Sequence, residues 1–129
     1  MNPVETLLAF FDAINRHDPD ALAALITEDH IFIDSLGASV RGREKMRPGW
    51  GAYFAMCPDY RVSHEDIFQS GNIVAAFGSA GGTVREISWQ TPAAWRVVVL
   101  DGLVQEFRVY ADDKPVYDIL AKSAKPAPK

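Results

Sequence analysis

The chain has one cysteine among its 129 residues, Cys57. No disulfide can form within it, and it suits a reducing cytoplasm. No apolar run approaches the ~20 residues that cross a bilayer. A basic excess is missing too, since 13 Lys and Arg stand against 17 Asp and Glu, a formal charge of −4. Nucleic acid and anionic membranes, which need a clustered basic surface, are therefore not expected as partners. The opening MNPVETLLAFFDAINRHD has no basic start and its apolar residues are interrupted by Glu5 and Asp12, so it does not read as a signal peptide. The histidines His17, His30 and His64 fit no metal-ligand spacing. No metal and no cofactor is expected.

What is present is the 48% hydrophobic content of one ordinary domain. Asn2, Pro3 and Glu5 make a helix start, and Val4, Leu7, Leu8, Phe11 and Ile14 give it an apolar face. That helix should end near His17. Asp18 and Pro19 repeat the start signal for a short second helix. HIFIDS reads as a strand with His30, Phe32 and Asp34 on one face and Ile31 and Ile33 on the other. Met46, Trp50, Tyr53 and Phe54 predict a third helix over 43–56, weakened by Pro48, Gly49 and Gly51. Strands are expected over 60–69, 73–80, 93–100 and 103–110, with turns at SGN and DG. Helices followed by an antiparallel meander give an α+β order, with one domain over 1–120 and a loose tail, AKSAKPAPK, over 121–129.

The last strand, VQEFRVYADD, alternates strictly. Glu106, Arg108, Tyr110 and Asp112 fall on one face, and Gln105, Phe107, Val109 and Ala111 on the other. A polar row of this kind faces water or lines a cavity.

The stretches NRHDPDALAALITEDHIFID, RGREKMRPGW, CPDYRVSHEDIFQSGNIVAAFGSAGGT and DGLVQEFRVYADDKPVYDIL, in that order, cover nearly the whole chain. Together they resemble the nuclear transport factor 2-like superfamily, in its SnoaL-like and ketosteroid isomerase-like branch. The resemblance implies a cystatin-like α+β roll: a cone-shaped, strongly curved mixed or antiparallel sheet, wrapped by three helices from the N-terminal half. It also implies a pocket and pairing of two copies through the sheet's outer face. On that basis Glu106, Arg108, Tyr110 and Asp112 are expected to look into the pocket, and Gln105, Phe107 and Val109 into a homodimer partner.

The same resemblance nominates site residues. Asp34 matches the general-base aspartate of the isomerases, where desolvation of a carboxylate suits proton abstraction beside a carbonyl. It serves equally well as the cap of the DSLG turn. Asp112 matches the acid–base aspartate of the cyclases. His64 offers an acid–base partner, and Tyr110 a hydrogen-bond donor. Phe10 and Trp95 stand where the isomerases carry their oxyanion donors, and neither has a hydroxyl. Arg108 can hold an oxygen anion or make an internal salt bridge. Trp50, Tyr53 and Phe54, with Phe10, Trp95 and Arg108, are the candidate substrate-binding residues. The aromatic ones are also natural core. VAAFGSAGGT, over 74–83, is poor in bulk and leaves room for an apolar molecule.

Two readings follow. One is a cofactor-free isomerase, cyclase or dehydratase acting on a small apolar carbonyl or hydroxyl compound. The other is a module of the same fold that binds a small ligand, or only dimerises, without turnover.

Overall fold

The computed structural model describes residues 1–124. Helix α1 spans Pro3–Asn15, and Asn2 and Glu5 close a reciprocal capping box at its start. Helix α2, Pro19–Ala24, begins where the Asp18 side chain accepts the Ala21 N–H. Strand β1 is Ile26–Ile33, β2 is Ser39–Arg41, and helix α3 occupies Arg43–Met56 with Pro48 inside its first turns. The remaining strands are β3 (Arg61–Ser70), β4 (Ile73–Val84), β5 (Ile87–Leu100) and β6 (Leu103–Ala111). Helix α4, Lys114–Ala124, closes the described chain.

All six strands form one curled sheet in the order β2-β1-β6-β5-β4-β3. Every neighbour pair is antiparallel except β1 and β6, which run parallel. The β5–β6 hairpin turns on Asp101 and Gly102, both at positive φ (52° and 76°), as a two-residue turn requires. At the β3–β4 pairing, a Cβ on Gly78 would sit 1.9 Å from the Ser63 carbonyl oxygen. Only glycine allows the two backbones to come so close.

The core lies between the sheet's inner face and the helices. Leu7, Phe10 and Ile14 of α1, Trp50 of α3, and Val74, Trp95, Val97 and Phe107 of the sheet are all buried in it. Phe10 lies against Phe107 with ring centroids 4.7 Å apart.

Four departures from the sequence reading are structural. The three expected helices of the N-terminal half are present, and a fourth joins them among the described residues: α4 begins where the Asp112 side chain accepts the Lys114 N–H, and it runs on through Ala124. The segment 121–124, read as loose tail, is therefore helical, while 125–129 lie outside the described residues. Strand β5 begins at Ile87 rather than Ala93, because its turn with β4 uses Arg85 and Glu86 at positive φ and contains no glycine to signal it. Short β2 has no apolar alternation to announce it.

The largest correction concerns β6. Phe107, Val109 and Ala111 face inward, and Glu106, Arg108 and Tyr110 face outward, the reverse of the expected arrangement. The physical reason is burial: Phe107 and Val109 remove apolar area from water at roughly 25 cal/mol per Å2, whereas the charged row would have to be desolvated.

Candidate functional site

Between the inner face of the sheet and helices α3 and α4 lies a cavity of about 400 Å3. This falls within the roughly 300–1,000 Å3 usual for small-molecule sites. The sheet supplies Phe32, Val62, Trp89, Trp95, Phe107 and Val109 as apolar wall. The small side chains of Ala80 and Ala111 leave the space open. Met46, Trp50 and Tyr53 close it from α3, and Val116, Tyr117 and Leu120 from α4. Each helix reaches the cavity because its apolar residues recur at helical spacing: Met46, Trp50 and Tyr53 on one, Val116 and Leu120 on the other.

The polar groups in this wall are few. Asp34 sits just past the end of β1, where its Oδ1 accepts the backbone N–H groups of Leu36 (2.9 Å) and Ala38 (3.0 Å). It therefore anchors the turn and lines the cavity at once. Ser35, next in the chain, donates its hydroxyl to Asp113, so the β1–β2 turn is tied to the start of α4. Asp113 and Lys45 also line the cavity.

Tyr53 and Tyr60 meet edge to face, with centroids 4.8 Å apart. Burial raises the Tyr53 phenol above its ordinary range, and the nearby Cys57, Asp113 and Tyr117 add to the rise. Burial raises Tyr60 likewise, with Tyr53 adding to it. Both phenols consequently keep their protons across the physiological range and are hydrogen-bond donors. The Trp89 indole Nε1 is buried without a hydrogen-bond partner. The Cys57 thiol lies close to it, but not in hydrogen-bonding geometry.

The structure brings together only some of the residues nominated from sequence. Asp34, Trp50, Tyr53 and Trp95 share the cavity wall. Asp112 does not: it is exposed, and its side chain caps α4 at Lys114. Tyr110 is 48% exposed on the outer face, with the Arg108 guanidinium 5.4 Å above its ring. Arg108 thus faces away from the cavity, and the ion pair on that face joins Arg96 to Glu106 instead. His64 is exposed on β3 and stacks on Phe11 at 5.8 Å, away from the cavity. Phe10 is fully buried core, and Phe54 packs between His17 and Trp50; neither lines the cavity.

The sequence reading missed Ser35, Trp89, Thr91 and Asp113 as cavity residues. Asp113 looked like part of a solvated turn beside Asp112. The signal that separates the two carboxylates is the α4 start: once Asp112 caps the helix, its neighbour must point elsewhere. Among the described residues no group of His, Cys, Asp and Glu is placed to hold a metal ion.

Residues 7–116 match the SnoaL-like domain. The chain belongs to that family. Its fold is shared by a putative SnoaL-like polyketide cyclase from Jannaschia sp. CCS1 (23% identity, TM-score 0.79, covering 96% of this chain and 93% of that one). A second such protein, from Shewanella denitrificans OS-217, is 15% identical with a TM-score of 0.82, over 93% and 97% of the two chains. A hypothetical protein with a ketosteroid isomerase-like fold from Catenulispora acidiphila, in complex with trimethylamine, is 22% identical at a TM-score of 0.80, over 98% and 96%. No curated protein sequence matches the chain. No helix among the described residues is long and apolar enough to cross a membrane.

Proposed function

We propose that this SnoaL-like protein binds a small, largely apolar carbonyl or hydroxyl compound in the cavity and moves a proton on it without a cofactor. The observation that carries this reading is the shared wall: the carboxylate of Asp34 and the protonated phenols of Tyr53 and Tyr60 line one apolar cavity. Asp34 Oδ1 is held by two backbone N–H groups, which fixes the carboxylate and leaves Oδ2 to take a proton from carbon. A phenol of Tyr53 or Tyr60, with the unpartnered Trp89 N–H, donates to the oxygen on which charge develops. These donors come from α3, the approach to β3, and β5. They replace the hydroxyls that Phe10 and Trp95 lack. Trp50 and Trp95 form the apolar walls against the substrate body.

The test needs no knowledge of the natural substrate. Proton–deuterium exchange beside the carbonyl of small cyclic ketones in heavy water, followed by NMR, reports enolisation directly. The wild-type protein should accelerate exchange. Asp34→Asn should lose about 100-fold or more of that acceleration, and Tyr53→Phe should lose part of it. Binding of the ketones with no acceleration would instead establish the binding-only reading, which one observation favours: Asp34 already serves its own turn.

We also infer a homodimer through the outer sheet face, supported by exposed Phe68, Ile73 and Phe77 on that side. These residues take the place of the expected Phe107 and Val109, which face inward.

A further inference from the structure

The mechanism above leaves Asp113 without a part. Its carboxylate is half-buried in the wall of a mostly apolar cavity and accepts the Ser35 hydroxyl. Among the described residues neither Asp113 nor Asp34 has a Lys, Arg or His within ion-pair distance, although five such pairs form elsewhere. Lys45, the one basic residue in the wall, is exposed on α3 and leaves the lining with an acidic excess. A half-buried carboxylate without a counter-ion is unfavourable unless something supplies the missing charge.

The surroundings of Asp113 are aromatic. Tyr53 and Tyr60 both lie close enough to feel its charge. Trp50 packs against Tyr53 at 6.4 Å, and Tyr117, one helical turn along α4 from Asp113, lines the same wall. The electron-rich faces of such rings attract cations, and a desolvated setting strengthens that attraction. An anionic group is repelled by the carboxylate, and a neutral donor can hydrogen-bond to it but leaves its charge unbalanced. An ammonium group answers both the carboxylate and the rings.

We propose that the natural ligand carries a protonated or quaternary amine, held by Asp113 within the aromatic wall of Tyr53, Tyr60, Trp50 and Tyr117. This rests on the cavity being the ligand site, as in the function proposed above. It assigns Asp113 to binding and leaves Asp34 to proton transfer. Ser35 positions the carboxylate.

The experiment compares two probes of the same shape, the benzyltrimethylammonium cation and its neutral carbon isostere neopentylbenzene, by tryptophan fluorescence and calorimetry. Trp50, Trp89 and Trp95 in the wall report occupancy. The cation should bind at least about tenfold more tightly than the isostere, and Asp113→Asn, whose amide oxygen can still accept from Ser35, should remove about tenfold of the cation's affinity. Affinity for the isostere should be unchanged in that variant, which controls for folding. Equal or tighter binding of the isostere to the wild-type protein overturns the proposal, as does an Asp113→Asn variant that holds the cation undiminished. Ketone exchange persisting under either result would leave proton transfer standing while the amine assignment fails. Failure of both probes to enter the cavity overturns the amine assignment as well, and loss of ketone exchange alongside it would remove the proton-transfer reading too.

Discussion

Strand β6 shows the two faces of the sheet side by side. Phe107 is 1% exposed and packs against Phe10 and Phe32, while Tyr110, three residues on, is 48% exposed beneath the Arg108 guanidinium. Both are aromatic and both belong to an alternating pattern. What separates them is the rest of each row: Val109 and Ala111 accompany Phe107 inward, and Glu106 and Arg108 accompany Tyr110 outward. The cavity is lined mainly by the apolar row, and its carboxylates, Asp34 and Asp113, arrive from beyond the strand ends, with Ser35 beside them. Polar alternation along a strand therefore points away from the site here.

The sharpest way to break that comparison is to truncate one residue from each face. Phe107→Ala should lower unfolding free energy by about 3–5 kcal/mol, because it leaves a cavity among Phe10, Phe11 and Phe32. Tyr110→Ala should change it by less than about 0.5 kcal/mol. Urea titrations of the two variants measure the contrast, and similar losses in both would mean the faces have been assigned wrongly.

A smaller effect is expected where the sheet's backbones crowd. A methyl group on Gly78 meets the Ser63 carbonyl of β3 at 1.9 Å, a contact that only a shift of one strand relieves. Gly78→Ala should destabilise the protein by about 1–3 kcal/mol, as overpacking does. Gly49→Ala, with open space around the added carbon, should not. Thermal melts of the pair decide it.

Most of the fold was legible because its signals are local. The Asn2–Glu5 capping box, the Asp18–Pro19 start and the DG hairpin are each set by residues within a few positions of one another. The third helix follows the spacing of Met46, Trp50 and Phe54 despite Pro48, whose missing N–H costs the helix one bond, to the carbonyl of exposed Glu44, where water can take its place. Helix α4 carried a readable start at Asp112 and Pro115 and an apolar face at Val116, Ile119 and Leu120. The polar stretch around them obscured it. The site was less legible because it is assembled from distant segments. Ser35 and Asp113 meet across 78 positions of sequence, and nothing near either residue announces the other. Asp34 is the exception, since its place at a strand end is itself a local feature.

His30 tests the inner face through pH. It is fully buried, and its Nδ1–H donates to the Val104 carbonyl at 2.8 Å, which leaves Nε2 as an acceptor without a partner. Burial depresses its pKa below 6.5, with the Val104 contact and Asp29 opposing in part. The neutral ring is thus the folded form. Its stabilising contribution is complete above about pH 6.5, declines as pH falls below that value, and is fully lost once pH passes the lower folded-state pKa. The slope in that window is at most about 1.4 kcal/mol per pH unit. His30→Asn keeps a donor for Val104 and cannot titrate, so its stability should vary less with pH below 6.5. Chemical denaturation at a series of pH values measures this, and parallel curves for the two proteins would contradict it.

The outer face gives the smallest effect on folding and a large one on assembly. Phe68 is 63% exposed and Phe77 47%, and their rings meet edge to face at 6.2 Å. The register sets Phe68 opposite Ala75 and Phe77 opposite Ala94, so small side chains flank both rings and leave them prominent. A patch of this kind gains by being covered. In a twofold pairing the same patch meets itself, so a charge placed in it must face its own copy or be buried without a partner. Phe77→Lys should accordingly turn a dimer into a monomer in sedimentation at micromolar concentration. The stability of the separated chain should change by less than about 0.5 kcal/mol, because this side chain contributes little to the inner core. A wild-type protein that sediments as a monomer would deny the outer face any partner, and exposed Phe68 and Phe77 would then need some other cover.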